Sequence, residues 1–347
     1  MKKFFGMLFL CATIFSMTAC VTVPEYPGWQ GNISWQYTDT AMGTIIQQIL
    51  YAENDEEAQS FSHQVMTECK ALEDNLISWR KGTSELAGLN DLAGTNNVTV
   101  ISAELNDILA RCLDVSRRSE GAFDITIGNV TRLWNIDSWA AGEEQGDFQL
   151  PQQDILQERL QSAGYEKIPL QPERQLVLPA GMQLDLGAVG KGIALEKLHG
   201  LLKAQTNIQA AVISAGGSIL TYGEKPDGTT WKVGIVDPRN TSQNIAILSL
   251  KGDWYVATSG DYERYVEIDG KRYHHILDPA TGYPANNGVR SVTILSRDGL
   301  LSDALSTACF VLGSEKGMEL AGQYEAEVLF VLESGEIVMS ENMPVVK

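Results

Sequence analysis

Ala210-Ala211-Val212-Ile213-Ser214-Ala215-Gly216-Gly217-Ser218-Ile219-Leu220-Thr221-Tyr222 sets two short apolar runs, Ala210 to Ser214 and Ile219 to Tyr222, on either side of a glycine pair. Runs of this length, broken by turn residues, read as strands. The same texture continues downstream through Trp231 to Val236, Ile245 to Leu250, Trp254 to Thr258, Tyr265 to Ile268, Tyr273 to Leu277 and Val289 to Leu295. Two more strands near Val328 and Ile337 close the chain. Upstream the pattern is helical. After a strand from Thr44 to Ala52, Asp55-Glu56-Glu57 open a helix to about Asp74, with Ala58, Phe61, Val65, Met66, Cys69 and Leu72 at helical spacing. Further helices are predicted from Ala103 to Ser119, from Gln152 to Ala163, after Gly192, and from Asp298 to Leu312; Ser138 to Leu150 reads as a surface excursion. Strands in runs with helices gathered elsewhere predict an α+β fold, not an alternating parallel sheet.

The chain has 347 residues, 44% of them hydrophobic and 20% charged, which is a globular composition. Its formal charge of −18 excludes nucleic acid as a partner, because no basic stripe exists to neutralise phosphates. A phosphate-bearing ligand must therefore be held by a local device. Met1-Lys2-Lys3, the apolar run Phe4 to Met17, and Met17-Thr18-Ala19-Cys20 form a secretory signal that resembles a bacterial lipobox. The expected organisation is a signal peptide over 1–19, a tether over 20–31 lipidated on Cys20, and one compact domain over 32–347. Cys69, Cys112 and Cys309 lie among apolar neighbours with no C-x-x-C pair, so they read as buried thiols rather than a disulfide or zinc framework.

Three stretches could carry chemistry. Asp185-Leu186-Gly187-Ala188-Val189-Gly190-Lys191-Gly192 precedes a helical pattern, so successive backbone N–H groups, a helix start and the Lys191 ammonium can face one anion. It is not a Walker loop, and alone it also suits a purely structural strand-to-helix turn. In Ser302-Asp303-Ala304-Leu305-Ser306-Thr307, Asp303 and Thr307 are four apart and share a helix face. A carboxylate and a hydroxyl suit Mg²⁺ better than zinc, although an aspartate in a first helical turn also serves the helix dipole. Tyr273-His274-His275-Ile276-Leu277-Asp278-Pro279-Ala280-Thr281-Gly282-Tyr283-Pro284 places two of the four histidines before a tight turn. Alternation puts His274 and His275 on opposite strand faces. His63 and His199 read as ordinary helix residues.

Taken in order, these stretches resemble the ApbE family of FAD:protein FMN transferases. The markers are Met42-Gly43-Thr44, Ser84-Glu85-Leu86 ending at Asn90, Gly121-Ala122-Phe123-Asp124 with Trp134, Asp185 to Gly192, Ala215-Gly216-Gly217, Thr258-Ser259-Gly260-Asp261-Tyr262, His275 through Pro284, and Asp303 to Thr307. The resemblance implies a duplicated T-fold-like arrangement of mostly antiparallel sheets packed with helices. It also implies a Mg²⁺-dependent transfer of the FMN half of FAD to an acceptor protein's threonine, releasing AMP. By the same resemblance, Met42, Ala122, Phe123, Asp124, Asp185, Ala188, Lys191, His275 and Ile276 line the FAD site. Asp303, Thr307 and the Ala188 carbonyl would hold Mg²⁺, and the acceptor is of the redox-pump-subunit or flavin-reductase type. Trp79 stands where members usually carry tyrosine and can stack on a flat ring. Lys191 stands where some carry glutamate.

In this reading His275, with an unperturbed pKa of about 6.5, takes the acceptor hydroxyl's proton, and Asp303 is the rival base. The lipidated Cys20 would keep the protein at the cell envelope, membrane-anchored and facing the periplasm or exterior. A Mg²⁺-dependent FAD pyrophosphatase or a non-catalytic FAD-binding lipoprotein would use much the same residues.

Overall fold

The computed structural model describes residues 34–168 and 173–346; the signal segment, Cys20 and the tether lie outside the described residues. Strands β1 (Ser34–Ala41) and β2 (Thr44–Ala52) form a hairpin closed by the pair Ala41↔Thr44. Its two-residue turn is Met42-Gly43, with φ of +54° and +66°. Two positive φ values mark a type I′ turn, whose twist matches that of the flanking strands. β1 carries half-exposed polar residues and gave no strand signal in the sequence.

Helix α1 (Asp55–Leu72) is capped by the Asn54 side chain and passes into a single wide π-turn over Glu73–Ile77, so it stops two residues short of expectation. Helices α2 (Glu85–Asp91), α3 (Ala103–Arg118), α4 (Gly128–Trp134), α5 (Ile136–Ala140) and α6 (Gln153–Ser162) follow, with a small ladder of β3 (Thr99–Val100) and β4 (Gln175–Leu176). Helix α7 (Gly190–Ala204) begins at Gly190 rather than after Gly192.

The glycine-split stretch quoted above is an antiparallel pair, β5 (Ile208–Ala215) and β6 (Ser218–Tyr222), closed at Ala215↔Ser218. The chain continues through β7 (Trp231–Asp237), β8 (Asn240–Leu250), β9 (Trp254–Gly260), β10 (Tyr265–Ile268), β11 (Lys271–His274) and β12 (Val289–Ser296). It ends with α8 (Gly299–Leu312), α9 (Ser314–Gln323), β13 (Glu327–Leu332), β14 (Ile337–Met339) and β15 (Val345–Val346). The strand expected over Tyr273–Leu277 stops at His274, because the chain turns away to pair Leu277 with Pro284 in an isolated bridge.

One eight-stranded antiparallel sheet, ordered β1-β2-β5-β6-β9-β12-β13-β14, organises the molecule. The α+β expectation holds. Helices α1, α3, α7 and α8 cover one face, where Phe61, Leu105, Leu109, Leu195 and Leu305 meet Leu50, Ile213 and Ile294. A three-stranded sheet, β15-β8-β7, covers part of the other, where Trp231, Val233 and Leu248 meet Val212, Ile219 and Val256. Burial on both faces explains why β5 is an unbroken apolar run instead of an alternating one. Cys69, Cys112 and Cys309 are buried and unpaired, as expected, and burial raises their thiol pKa values to about 11, about 12 and about 12.

Helices α7 and α8 cross glycine on glycine. A Cβ on Gly299 would stand 2.6 Å from the Gly192 carbonyl oxygen, and one on Gly192 would fall on the Gly299 carbonyl. Both obstacles are backbone, so neither can swing aside. Gly192→Ala should therefore lower unfolding free energy by about 3 kcal/mol, the upper range for overpacking a tight contact. Denaturant titration reads this directly, and an unchanged midpoint would mean the helices are not in contact there.

Candidate functional site

All twelve residues named above for substrate, metal or proton transfer line one cleft of about 270 Å³ between the helical layer and the sheet edge turns. They arrive from separate segments. Met42 comes from the I′ turn and is fixed by its N–H donating to the Glu73 carboxylate of the π-turn (3.2 Å). Trp79 follows that π-turn; the guanidinium groups of Arg80 and Arg132 lie 4.6 and 4.5 Å from its ring centre. Such contacts hold the indole as a platform.

Ala122, Phe123 and Asp124 follow Gly121, which takes φ +85°. The Phe123 ring is buried. The Asp124 carboxylate accepts from the Thr126 N–H and hydroxyl (2.8 and 2.7 Å) and from the Tyr165 N–H (3.0 Å). What these two residues can offer a ligand is therefore main chain. Asp185 likewise accepts from the Gly187 N–H (2.8 Å), which shapes the turn ahead of exposed Ala188 and the α7 start. Burial pushes both aspartates above the usual carboxylate range.

Asp303 is buried on α8. Its Oδ2 accepts from the Gly192 N–H (2.6 Å) and its Oδ1 from the Ser218 hydroxyl (2.6 Å), so α7, α8 and β6 meet on one carboxylate. Burial raises its pKa, while Lys191 opposes the rise. One turn along, Thr307 lines the cleft, and its hydroxyl makes no hydrogen bond among the described residues. Ser302 and Ser306 on the same helix do bond back, to the carbonyls of Gly299 and Asp303 (2.7 and 2.8 Å). A helical hydroxyl left facing a cleft beside a buried carboxylate, with the Ala188 carbonyl also on the wall, is an all-oxygen donor set that fits Mg²⁺.

His275 leaves the end of β11 on the cleft side. Its Nδ1 lies 3.2 Å from the Arg264 carbonyl oxygen, which can only accept, so the bond requires the proton on Nδ1. That leaves the Nε2 lone pair available. Burial, then Arg264, hold its pKa down to about 3. The unperturbed value expected from sequence is thereby corrected: the imidazole is neutral at working pH, and the negative phosphates of a bound substrate raise its basicity.

His274 turns to the opposite side, as alternation required. Its Nε2–H donates to Ala285 O (2.9 Å) and its ring meets Phe310 edge-on. Burial lowers its pKa to about 4. A group with a depressed histidine pKa contributes stability that is present above the unfolded value near 6.5 and lost as pH falls toward 4. Between pH 7 and 4.5 the wild type should lose about 2 kcal/mol more than His274→Gln, read by urea unfolding at the two pH values. Equal losses would place the acid sensitivity elsewhere.

Sequence reasoning missed an ionic group in this wall. Asp137 on α5 pairs with Arg80 (2.7 Å) and Arg264 (3.0 Å). Burial alone would raise its pKa, but Arg264, His275 and Arg80 outweigh it and hold the carboxyl at about 2. Asp137 had no motif of its own, whereas Arg264 stands two residues beyond the Thr258–Tyr262 turn and could have been flagged. His199 is a residue of helix α7, as expected. It sits outside the cleft, held by Asp253 and the Tyr255 hydroxyl at 2.8 Å each.

The cleft thus gathers Lys191, Arg80 and Arg264 within an acidic protein, together with a set of oxygen donors and a neutral imidazole. Comparison with known proteins adds a framework. The model described as the ApbE family matches residues 42–330. The FAD:protein FMN transferase of Treponema pallidum is 38% identical over 275 residues, covering 75% of this chain and 74% of that protein. The FAD:protein FMN transferase of Klebsiella pneumoniae is 33% identical over 318 residues, covering 89% and 92%. The crystal structure of the ApbE protein from Thermotoga maritima matches with a TM-score of 0.78 at 30% identity, covering 89% of this chain and 97% of that one.

Proposed function

The chain belongs to the ApbE family, and on that premise we propose that it is a Mg²⁺-dependent FAD:protein FMN transferase that esterifies an acceptor threonine and releases AMP. The observation that carries this reading is the meeting, in one cleft, of Lys191 at the start of α7, the Asp303 and Thr307 oxygens of α8, and His275.

FAD is the substrate. The acceptor hydroxyl oxygen attacks the phosphorus of the FMN half, the bond from that phosphorus to the bridging oxygen breaks, and AMP leaves with that oxygen. His275 Nε2 takes the hydroxyl proton, while Nδ1–H on Arg264 O keeps the ring oriented. Lys191 and the α7 N–H groups hold phosphate oxygens, and Trp79 offers a stacking face to a flavin or adenine ring. Asp303, Thr307 and the Ala188 carbonyl would hold Mg²⁺, which would supply charge neutralisation for the phosphates.

The signal-like start and Met17-Thr18-Ala19-Cys20 support an envelope lipoprotein anchored through Cys20 and facing the periplasm or exterior. A redox-pump subunit or flavin reductase with a reactive threonine is the acceptor class this location suits. The test mixes the protein with FAD, Mg²⁺ and such an acceptor. Flavin fluorescence fixed to the acceptor on a denaturing gel, with AMP formed in step, is expected. AMP with free FMN and an unlabelled acceptor would make water the nucleophile, and no AMP at all would sink the enzymatic reading.

A further inference from the structure

A second cavity of about 270 Å³ opens beside the cleft and shares with it a wall of Gly43, Lys191, Thr258, Glu263 and Arg264. Beyond the wall it runs between the Gly216-Gly217 turn of the main sheet and Val233, Gly234, Ile235 and Val236 of β7. Those four are consecutive. Val233 and Ile235 point inward to Ile219 and Val256, Gly234 has no side chain to block the approach, and the chain is bulged at Val236, so the cavity opens between the two sheets alongside β7. β7 is the outer strand of its sheet and pairs only with β8 among the described residues. Every second N–H and C=O on its free side therefore lacks a ladder partner, which makes a template for an added strand. The register with β8 also shifts at Ile235/Val236 and Val236/Asp237, the kind of bulge that re-aims a strand beside a site.

The wall between the cavities is polar on the groove side. Glu263 makes no hydrogen bond or ion pair with the described residues, and Arg264 carries the carbonyl that orients His275. Flavin transfer needs a second substrate whose hydroxyl reaches the phosphorus while FAD fills the cleft. The second cavity is contiguous with the cleft at Lys191 and Arg264, beside the base. We propose that it is the docking groove for the acceptor: an extended segment of the acceptor protein adds to the free edge of β7 and presents its hydroxyl residue across the Glu263–Arg264 wall toward His275. This rests on the transferase reading above.

Two variants test it by different means. Val236→Pro removes a main-chain N–H of β7 and fixes φ there, and Thr241→Trp fills groove volume from β8 without changing the β7 sequence. Neither residue lines the FAD cleft. With an acceptor domain that the wild type labels, each variant should raise KM for that acceptor about tenfold or more, with kcat within about threefold and FAD affinity unchanged. Thr241→Trp keeps the test decisive if the proline variant melts early. Wild-type KM in a folded Thr241→Trp, or a loss of FAD binding in step with acceptor KM, overturns the groove while transfer itself stands. If the wild type binds FAD yet labels no acceptor hydroxyl, the transferase reading falls and the groove falls with it.

Discussion

Asp303→Asn is expected to lower the rate of acceptor flavinylation by about a thousandfold or more, with the fold retained. Asparagine keeps the size of the side chain and can still accept from the Gly192 N–H and pair with the Ser218 hydroxyl. What it removes is the negative charge that offsets Lys191 and that a divalent cation would face. Charge stabilisation of a leaving phosphate is worth several kcal/mol, and a thousandfold loss corresponds to about 4 kcal/mol. AMP release at saturating FAD, measured over a Mg²⁺ titration, gives the number. A variant that reaches the wild-type rate at ordinary Mg²⁺ would remove Asp303 from the metal face.

His275→Ala is expected to cost between about a hundredfold and ten-thousandfold in kcat, the range for a positioned general base, while FAD affinity changes by less than about threefold. The argument is geometric before it is electrostatic. Arg264 O fixes the proton on Nδ1, so only Nε2 can receive one, and the ring lines the cleft with its lone pair unclaimed by the protein. Burial and Arg264 hold its pKa well below the usual histidine value, which favours a free lone pair before substrate binds. A His275→Ala protein with the wild-type turnover would leave the proton to Asp303 or to solvent.

What was legible in the sequence, and what was not, divides along chemical lines. The glycine turns, the Asp303/Thr307 spacing and the histidine pair carry their meaning locally, so their segments could be named before any fold was known. The fold supplied the relation between them. No pattern in the chain ties Asp137 to Arg80 or Arg264, which lie in other segments; the Arg264 pair exists because α5 packs beside β10, and the Arg80 pair because the loop after the π-turn reaches α5. β1 escaped notice because a half-exposed polar edge strand has no apolar period to detect. The pKa of His275 was misjudged for a related reason: desolvation belongs to the packed state, and a sequence carries only the reference value.

The crossing of Gly192 on Gly299 has a bearing on when the protein becomes competent. The hydrogen bond that joins α7 to the Asp303 carboxylate spans 111 residues of chain, and the cleft draws on positions from Met42 to Thr307. Loops of that length close late, because distant contacts must be reached before they reward the entropy lost. Nearly all of the chain must therefore be available before α8 can seat. A chain that has not yet seated α8 lacks the Asp303 and Thr307 oxygens of the cleft.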